Sequence, residues 1–502
     1  MGVSDSETFD IVDPDPGALI ESLRAFGYTL EASIADIIDN SIAARAHNIH
    51  INFSWQGEQS TITLTDDGHG MTCDELVNAM RPGSKNPLEV RDPEDLGRFG
   101  LGLKTASFSQ CRKLTVGSRA RGHDIVIRNW DLDYVDECRE WRLRRMDPDY
   151  ADGLFFALEN QESGTIVLWE QIDRLVSGAD PEDSKRRDMF YEHIDMVKSH
   201  LAMVFHRFLG TRNSLKIFVN NRPLDAWDPF LQNHHATQQL PDEPLHHSGQ
   251  RITVRPYILP HRSKMDDRTY ELAGGPGGWN ARQGFYVYRN NRLIVAGDWL
   301  GLGFRKEEHT KLARILVDIP NSMDNDWKID VRKSVARPPA PLMEDFKRIA
   351  RLTIERSNAV YRHRGKIVER QTAGDFVFPW NTNIRNGTYY YTVNRKHPLV
   401  MAALENSGDQ KRIIETMLRL IEETVPVPTI ILNNAESPDR LHRPFDSSPS
   451  EELQIVMKEI WISMRDSGLS TVEVGKRLIS MDPFCDYPEH VSVFLESMER
   501  EV

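Results

Sequence analysis

Four polar side chains interrupt an apolar helical pattern near the N-terminus of the sequence. In "SIADIIDNSIAARA" they are Asp36, Asp39, Asn40 and Ser41, and nothing nearby obviously neutralises the two acids. Asp36 and Asn40 are four residues apart, so in a helix their side chains lie one above the other on the same face. The pattern raises the question of what this polar face contacts.

Two glycine-containing motifs follow, and both are typical of a backbone that approaches a ligand closely. The first is "DDGHGM" at 66–71, and the second is "LGRFGLGLKTASFS" at 96–109. Glycine permits positive φ, and a helix that begins just after such a loop offers unpaired N–H groups to phosphate. The motifs indicate a nucleotide pocket, although the sequence contains neither a Walker loop nor a dinucleotide fingerprint after a strand.

The order of the motifs resembles that of a known family, the GHKL ATPases. A polar helix, "DDGHGM", "GRFGLGLKTAS" and "SGTIVLW" at 163–169 follow one another within about the first 210 residues. The family includes DNA gyrase B, MutL mismatch-repair proteins, MORC ATPases and the ninety-kilodalton heat-shock chaperones. "GRFGLGLKTAS" and "DNS" are most similar to bacterial MORC-like or MutL-like ATPases.

The resemblance implies a role for single positions. Asn40 matches the family's Mg²⁺ ligand, Asp66 the carboxylate that accepts from the adenine amino group, and Thr165 a threonine near adenine. The remaining positions match the turn beneath the base and the lid around the phosphates: Gly68, Gly70 and Met71, then Gly97, Gly100, Leu101, Gly102, Leu103 and Lys104. The resemblance therefore implies ATP and Mg²⁺ as cofactors.

One position departs from the family pattern. The general base of the family is a glutamate four residues before the asparagine, and Asp36 stands there in this sequence. A base must come within about 3 Å of the water proton that it takes, so a side chain one methylene shorter affects hydrolysis directly. Asp36 is expected to be the base; the alternative is an Asp that orders Mg²⁺ through water in a slow, ATP-binding switch.

The elements around these residues are read from periodicity. Ile34, Ile37, Ile38 and Ile42 recur at spacings of three and four, which predicts a helix over 33–46. Alternating apolar residues in "NIHINFSW" and "STITLTDDG" predict two strands, paired as a hairpin. We therefore expect an α+β protein with an N-terminal Bergerat-type ATP-binding α/β sandwich at 1–210.

Composition limits the alternatives. The chain of 502 residues is 39% hydrophobic, which is enough for several domains with cores. The four cysteines lack metal-ligand spacing, and the net charge of -13 argues against a surface that coats nucleic acid as a whole. "RNNR" at 289–292 is one candidate for a local basic patch. No signal peptide or membrane helix is predicted, so a cytoplasmic location with no membrane partner is expected.

Strand-like runs after residue 211 predict a second domain at 211–341. "GFYVYRNNRLI" resembles the transducer domain of MutL and MORC proteins, and "WKIDVRKS" supplies Lys328 where MutL carries a lysine that reaches the γ-phosphate. A cation from a separate domain contacts that phosphate only when the domains close. Lys328 is thus the second predicted catalytic residue; the alternatives are Lys333 in this role, or Lys328 as a surface lysine in a turn.

The rest of the chain is predicted to be mostly helical. The domain at 211–341 is expected to be a β-α transducer domain. A helical connector at 342–374 follows it and leads to a C-terminal region at 375–502, which is expected to bind a partner or to dimerise. A helix, turn and helix near Gly468 also match a DNA-reading module, although only Lys476 and Arg477 are basic on the second helix.

The combined expectation is a Mg²⁺-dependent ATPase of MORC-like or MutL-like type. Two protomers would close as a homodimer over ATP and clamp DNA or another protein, in a restriction or phage-defence system with a separate nuclease. The alternative is a nucleotide-gated, chaperone-like scaffold with negligible hydrolysis.

Overall fold

A computed structural model of the protein divides into two compact units, Met1–Lys366 and Ile367–Val502. The residues that it describes are 14–25, 27–83, 102–209, 215–324, 326–329, 336–362, 379–385, 388–405, 407–427, 429, 451–466, 468–479, 481, 484 and 488–501. Among these residues, no helix combines the length and the apolar composition that crossing a membrane requires.

The first unit contains an eight-stranded mixed sheet, in which the strand order is β5-β4-β3-β6-β2-β1-β7-β8. Its strands are β1 Asn48–Ser54, β2 Thr61–Asp66, β3 Lys113–Arg119, β4 Val126–Asp131, β5 Arg144–Met146, β6 Gly164–Glu170, β7 Lys216–Val219 and β8 Arg222–Pro223. β1 and β2 form the antiparallel hairpin that the alternating pattern predicts, with Ile51 opposite Leu64. β1 also pairs with β7, in parallel.

Helices accompany this sheet, and one of them carries the polar stripe. They are α1 Pro16–Arg24, α2 Leu30–Ala43, α3 Cys73–Met80, α4 Gly102–Phe108, α5 Leu132–Cys138, α6 Tyr150–Gly153, α7 Asp173–Val176, α8 Ser184–Val204 and α9 His206–Leu209. α2 forms because Thr29 caps its first turn and its isoleucines Ile34, Ile37 and Ile38 are buried in the core. The predicted helix over 33–46 is thus confirmed in type and begins three residues earlier.

A second sheet follows in the same unit, in the order β10-β11-β14-β12-β13, with β9 paired to β11. Its elements are β9 Gln238–Gln239, β10 Glu243–His247, β11 Gln250–Ile258, α10 Asp267–Gly274, α11 Gly278–Ala281, β12 Gly284–Arg289, β13 Arg292–Asp298, β14 Ala313–Ile319 and α12 Met343–Arg362. β12 and β13 join through Asn290 and Asn291, both at positive φ, as a tight hairpin turn requires.

The two sheets share a core. Tyr286, Tyr288 and Leu293 of the second sheet belong to the same buried apolar cluster as Ile37 and Ile51 of the first. β7 and β8 extend the first sheet, although they follow the domain boundary predicted at residue 210. The subdivision of this unit at residues 210 and 341 stays a prediction, but strand pairing assigns 216–223 to the first sheet.

The second unit contains a hairpin and helices. Its elements are β15 Trp380–Arg385, β16 Thr388–Val393, α13 Pro398–Glu405, α14 Lys411–Glu423, α15 Glu451–Asp466, α16 Thr471–Ile479 and α17 Pro488–Glu501. The last three helices bury a core of their own that includes Trp461, Leu478 and Val491. The whole chain is therefore an α+β protein with a largely helical C-terminal region, as the sequence predicts.

Candidate functional site

The predicted general base lies on the buried side of α2. Asp36 is only 4% exposed, and its Oδ2 accepts a hydrogen bond of 3.0 Å from the hydroxyl of Tyr28. Asn40, one turn further along, is exposed, and its side-chain amide makes no hydrogen bond to the described residues. The helix thus presents a positioned carboxylate next to an accessible amide oxygen, which is a donor set that suits a divalent cation.

The second acid of α2 has a buried cationic partner. Asp39 is 2% exposed, and its Oδ1 lies 3.0 Å from Nε of Arg292 on β13. Arg292 and its neighbour Arg289 were candidates for a basic surface patch, and that interpretation is wrong because both are buried, with Arg289 paired to Asp324. The ion pair explains how α2 carries a buried acid.

Asp66 ends β2 beside α2. Its Oδ2 accepts from the hydroxyl of Ser41 at 2.8 Å, and its Oδ1 accepts from the backbone N–H of Gly68 at 2.9 Å. Burial raises the pKa of the Asp66 carboxyl above its ordinary value of 3.8, although these two hydrogen bonds act in the opposite direction. A carboxylate offers about four acceptor sites, so capacity remains for a further donor such as an amino group.

Thr165 lies directly across the sheet from Asp66. The two residues are paired between β2 and β6, and Thr165 is 9% exposed. Its hydroxyl is 2.9 Å from that of Ser118, which also accepts from the backbone N–H of Met71. Ser118 therefore ties the turn at 66–71 to the sheet, and three predicted site residues converge here.

Glycine is required in the turn at two positions. A Cβ on Gly68 would lie 2.8 Å from the Cβ of Ala44, and a Cβ on Gly70 would lie 1.9 Å from the carbonyl oxygen of Arg119. Gly70 also has a φ of +67°. The backbone consequently runs closer to its neighbours than any side chain would allow, as the glycine spacing predicts.

The predicted phosphate lid is described only in part. Gly97, Gly100 and Leu101 lie outside the described residues, whereas Gly102, Leu103 and Lys104 form the first turn of α4. A Cβ on Gly102 would lie 3.8 Å from Oδ2 of Asp36, so α4 begins beside the predicted base. Lys104 is 2% exposed, and its Nζ donates to the carbonyl oxygen of Ala79 at 2.9 Å.

Lys328 occupies a turn after the second sheet. It is exposed and has a φ of +47°, which is uncommon for a residue with a side chain. Its ammonium group makes no ion pair with the described residues, and its neighbour Trp327 is fully buried. The backbone at Lys328 is therefore anchored while its side chain extends into solvent. The alternative, Lys333, lies outside the described residues.

Sequence reasoning did not identify several residues of the site. Ser41 appeared only as an unexplained polar residue, Tyr28 and Ser118 had no assigned role, and Arg292 was considered only as part of a basic patch. A hydroxyl one position after Asn40 was a local signal for Ser41. The partners of the other three depend on contacts between distant segments, which periodicity does not reveal.

The residues present fit a nucleotide with its metal ion. No group of three His, Cys, Asp or Glu side chains that could hold a metal by themselves occurs in the described ranges. An accessible asparagine beside a carboxylate suits a metal that takes its other ligands from phosphate and water. The buried carboxylate with unused acceptor capacity and the tight glycine turn suit a flat, amino-bearing base.

Comparisons with known proteins agree with this geometry. Residues 28–165 match the family described as histidine kinase-, DNA gyrase B-, and HSP90-like ATPase. That range contains Asp36, Asn40, Asp66 and Thr165, but not Lys328.

Curated relatives include chaperone proteins HtpG. The protein of Yersinia pestis is 28% identical over 232 residues, which cover 36% of each chain. Those of Serratia proteamaculans and Escherichia coli are 27% and 24% identical, with the same coverage. The chain thus spans about a third of the length of these relatives. Residues 28–165 form a domain of the GHKL family, the histidine kinase-, DNA gyrase B- and HSP90-like ATPases.

Proposed function

We propose that this protein binds ATP with Mg²⁺ and hydrolyses it to ADP and phosphate. The observation that supports the proposal is that α2 carries the buried Asp36 and the accessible Asn40 one turn apart, while Ser41 of the same helix donates to the buried Asp66. In this pocket Asp66 accepts from the adenine amino group, and Gly68 and Gly70 let the backbone approach the base. Asn40 holds Mg²⁺, which neutralises phosphate charge when it is bound.

Asp36 is the general base in this proposal. Tyr28 donates to one carboxylate oxygen and fixes the orientation of the side chain. With its side chain oriented in this way, Asp36 takes the proton of the water that attacks the terminal phosphate. The described part of the lid, with Lys104, and the exposed Lys328 supply positive charge for the phosphates after the protein has closed around the nucleotide.

The same proposal assigns the second sheet a role in coupling. A lysine on a separate structural element reports the presence of the terminal phosphate, because it gains a contact that ADP does not offer. In a clamp of MORC-like or MutL-like type, this closure accompanies formation of a homodimer. The resemblance to MORC-like proteins implies two partners, DNA and a separate nuclease, and a role in phage defence. All three stay predictions.

A nucleotide-gated scaffold with negligible hydrolysis is the second candidate. Two observations favour it: the shorter acid at position 36, and the similarity to chaperone proteins HtpG over 232 residues. In this function ATP binding alone would switch the conformation, and release of the nucleotide would reset it. The two candidates differ in whether turnover is needed to reopen the protein.

The test follows mass and turnover in one sample. Light scattering gives the molecular mass with Mg²⁺ and either no nucleotide, ATP or a non-hydrolysable analogue, while phosphate release is measured in parallel. The ATPase clamp predicts a dimer with the analogue that relaxes as ATP is consumed, and an Asp36→Asn variant that binds ATP but loses turnover about a hundredfold or more. A control variant, Asp74→Asn, changes an exposed acid at the start of α3 and should behave as the parent. ATP binding without phosphate release would instead support the scaffold.

A further inference from the structure

The buried ion pair between Asp39 and Arg292 joins the site helix to the second sheet. Both oxygens of Asp39 lie near Nε of Arg292, at 3.0 and 3.3 Å, and the side chains are 2% and 5% exposed. We propose that Arg292 is a positioning residue for the ATP site: by holding Asp39, it fixes the rotation of α2 and so directs Asp36 and Asn40 into the pocket. This inference rests on the proposed ATPase function.

Helix geometry supports this role. At 100° per residue, Asp39 lies about 60° from Asp36 and about 100° from Asn40 around the axis of α2. The three side chains therefore share one side of the helix, within its last three turns. A rotation of α2 that moves Asp39 away from Arg292 moves the other two by the same angle, so the ion pair constrains the direction of the base and of the proposed metal ligand.

Arg292 is itself held rigidly. Its Nη1 donates to the carbonyl oxygen of Leu293 at 2.7 Å, and its guanidinium lies 4.8 Å from the centre of the Phe205 ring. Phe205 is fully buried in the shared core. The guanidinium of Arg292 is thus held by a backbone carbonyl on one side and by an aromatic ring on one face. These contacts fix its position independently of Asp39.

Stability alone does not account for the pair. Two charges removed from water are often no more stabilising than apolar side chains of similar volume, since desolvation offsets their attraction. What an ion pair adds over an apolar contact is direction, because a guanidinium binds a carboxylate only over a narrow range of angles. Such a directional contact is useful at a helix whose neighbouring side chains must reach a phosphate and a metal ion.

A second ion pair between the first part of the unit and the second sheet provides a control. Arg207 on α9 contacts Asp318 on β14 at 2.5 Å, with side chains 22% and 46% exposed, and its guanidinium lies 3.6 Å from the Tyr288 ring. This pair also connects the first part of the unit to the second sheet, but neither residue lies on α2. Its removal tests whether docking of the sheets in general, rather than the anchor on α2, controls the site.

The experiment compares two double variants of the full chain in which an ion pair is replaced by apolar residues. Asp39→Leu with Arg292→Met removes the anchor, and Arg207→Met with Asp318→Leu removes the control pair. Chemical denaturation reports folding, and calorimetry reports the affinity for ADP without Mg²⁺. The kcat and KM for ATP and the Mg²⁺ concentration for half-maximal ATP binding report the site.

The proposal predicts that the anchor variant folds, keeps its Mg²⁺-free ADP affinity within about twofold, and loses kcat about tenfold or more, as small displacements of catalytic groups do. Its Mg²⁺ requirement for ATP binding rises several-fold, and the control variant resembles the parent. An anchor variant with parental kcat and Mg²⁺ requirement would overturn the proposal. So would equal losses in the two variants, since these would reflect sheet docking.

Two further arms keep the test decisive. If the anchor variant does not fold, Arg292→Lys takes its place, because it retains the charge but loses the planar group. It should show a smaller fall in kcat and a smaller rise in Mg²⁺ requirement than those predicted for the anchor variant. If the parent binds ATP without hydrolysing it, the proposed ATPase activity fails. The Mg²⁺ requirement for ATP binding then still decides whether Arg292 positions Asn40.

Discussion

Tyr28 donates its hydroxyl to Asp36 at 3.0 Å, and both residues are buried at the edge of the site. Tyr28 precedes α2, so this contact joins the chain entering the helix to the carboxylate on its second turn. The hydrogen bond takes up one oxygen and fixes the plane of the carboxyl group.

Removal of this hydroxyl tests its role. A Tyr28→Phe variant should lose about 1–3 kcal/mol in free energy of unfolding, because a buried carboxylate loses a donor. It should also hydrolyse ATP several-fold more slowly while binding ADP as before. Tyr150→Phe is the control. The hydroxyl of Tyr150 donates to the carboxylate of Glu170 at 2.8 Å, and neither residue lies on α2. Equal rates in the parent and Tyr28→Phe would contradict the positioning of Asp36 by this contact.

The pKa of Asp66 predicts how ATP binding depends on pH. Because burial raises this pKa above 3.8, the carboxyl takes up its proton at a higher pH than an ordinary aspartate. Protonation removes the charge that makes it a strong acceptor for the adenine amino group. ATP affinity should therefore fall as the pH decreases through the raised pKa. Calorimetry over a pH series measures this.

The variant Asp66→Asn is the reference for that series. It should bind ATP weakly at every pH and lack the acid-dependent loss. The stability contribution of Asp66 has the opposite sign: the folded chain binds the proton more tightly than the unfolded chain, so this residue favours folding more as the pH falls. A parent whose affinity is flat down to pH 4 would contradict the proposed base contact.

Lys328 should affect turnover more than nucleotide binding. Its side chain is exposed on an anchored turn. In the proposed function it contacts the nucleotide only when the terminal phosphate is present. A Lys328→Ala variant should therefore hydrolyse ATP at least about tenfold more slowly and bind ADP with unchanged affinity. Lys216→Ala changes another exposed lysine, on β7, and should leave both quantities unchanged. A parallel loss of ADP affinity would show that Lys328 acts by another route.

His206 predicts a loss of stability in acid. It is 8% exposed, its Nε2 lies 3.0 Å from the hydroxyl of Tyr288, and burial lowers its pKa from 6.5 to about 4. Between these values the unfolded chain takes up a proton that the folded chain does not, so stability is lost as the pH falls from 6.5 towards 4. The lowered pKa corresponds to about 3 kcal/mol. Urea unfolding at pH 7 and pH 4 measures this loss. The free energy of unfolding should fall less between the two pH values in His206→Gln than in the parent. The control His47→Gln changes an exposed histidine and should behave as the parent.

The turn at Gly70 should not accept a side chain. Gly70→Ala places a Cβ 1.9 Å from the carbonyl oxygen of Arg119, whereas Gly83 has a similar φ, +68°, and no atom of the described residues within 4 Å of its Cβ position. Gly83→Ala should cost about 1–2 kcal/mol for the left-handed backbone alone. Gly70→Ala should cost more than this and weaken ATP binding as the turn shifts. Unfolding by urea measures both, and equal costs would show that the turn can relax.

The sequence predicts those parts of the fold that depend on local pattern. The spacing of Ile34, Ile37 and Ile38 predicts α2, and alternation predicts the β1–β2 hairpin, because one face of each element is buried in a common core. The order of the polar helix and the glycine motifs predicts the family of the domain at 28–165.

Contacts between distant segments are not predicted in this way. Asp39 and Arg292 form an ion pair although they are far apart in the sequence. The two arginines of "RNNR" were expected to be exposed because a short basic run usually is. The pairing of β7 with β1 also escaped, since a four-residue strand carries no information about its partner. Both depend on how the two sheets share one core.

The parallel pairing of β1 with β7 also governs when this protein can fold on the ribosome. Asn48–Ile51 aligns with Lys216–Val219, so β1 has an open edge until the later segment has been synthesised. At about 5–20 residues per second, roughly 10–30 seconds pass between the two segments. During that interval the nascent chain carries an unpaired strand edge in the sheet that holds its proposed ATP site, and such an edge can pair with other chains until β7 has been synthesised.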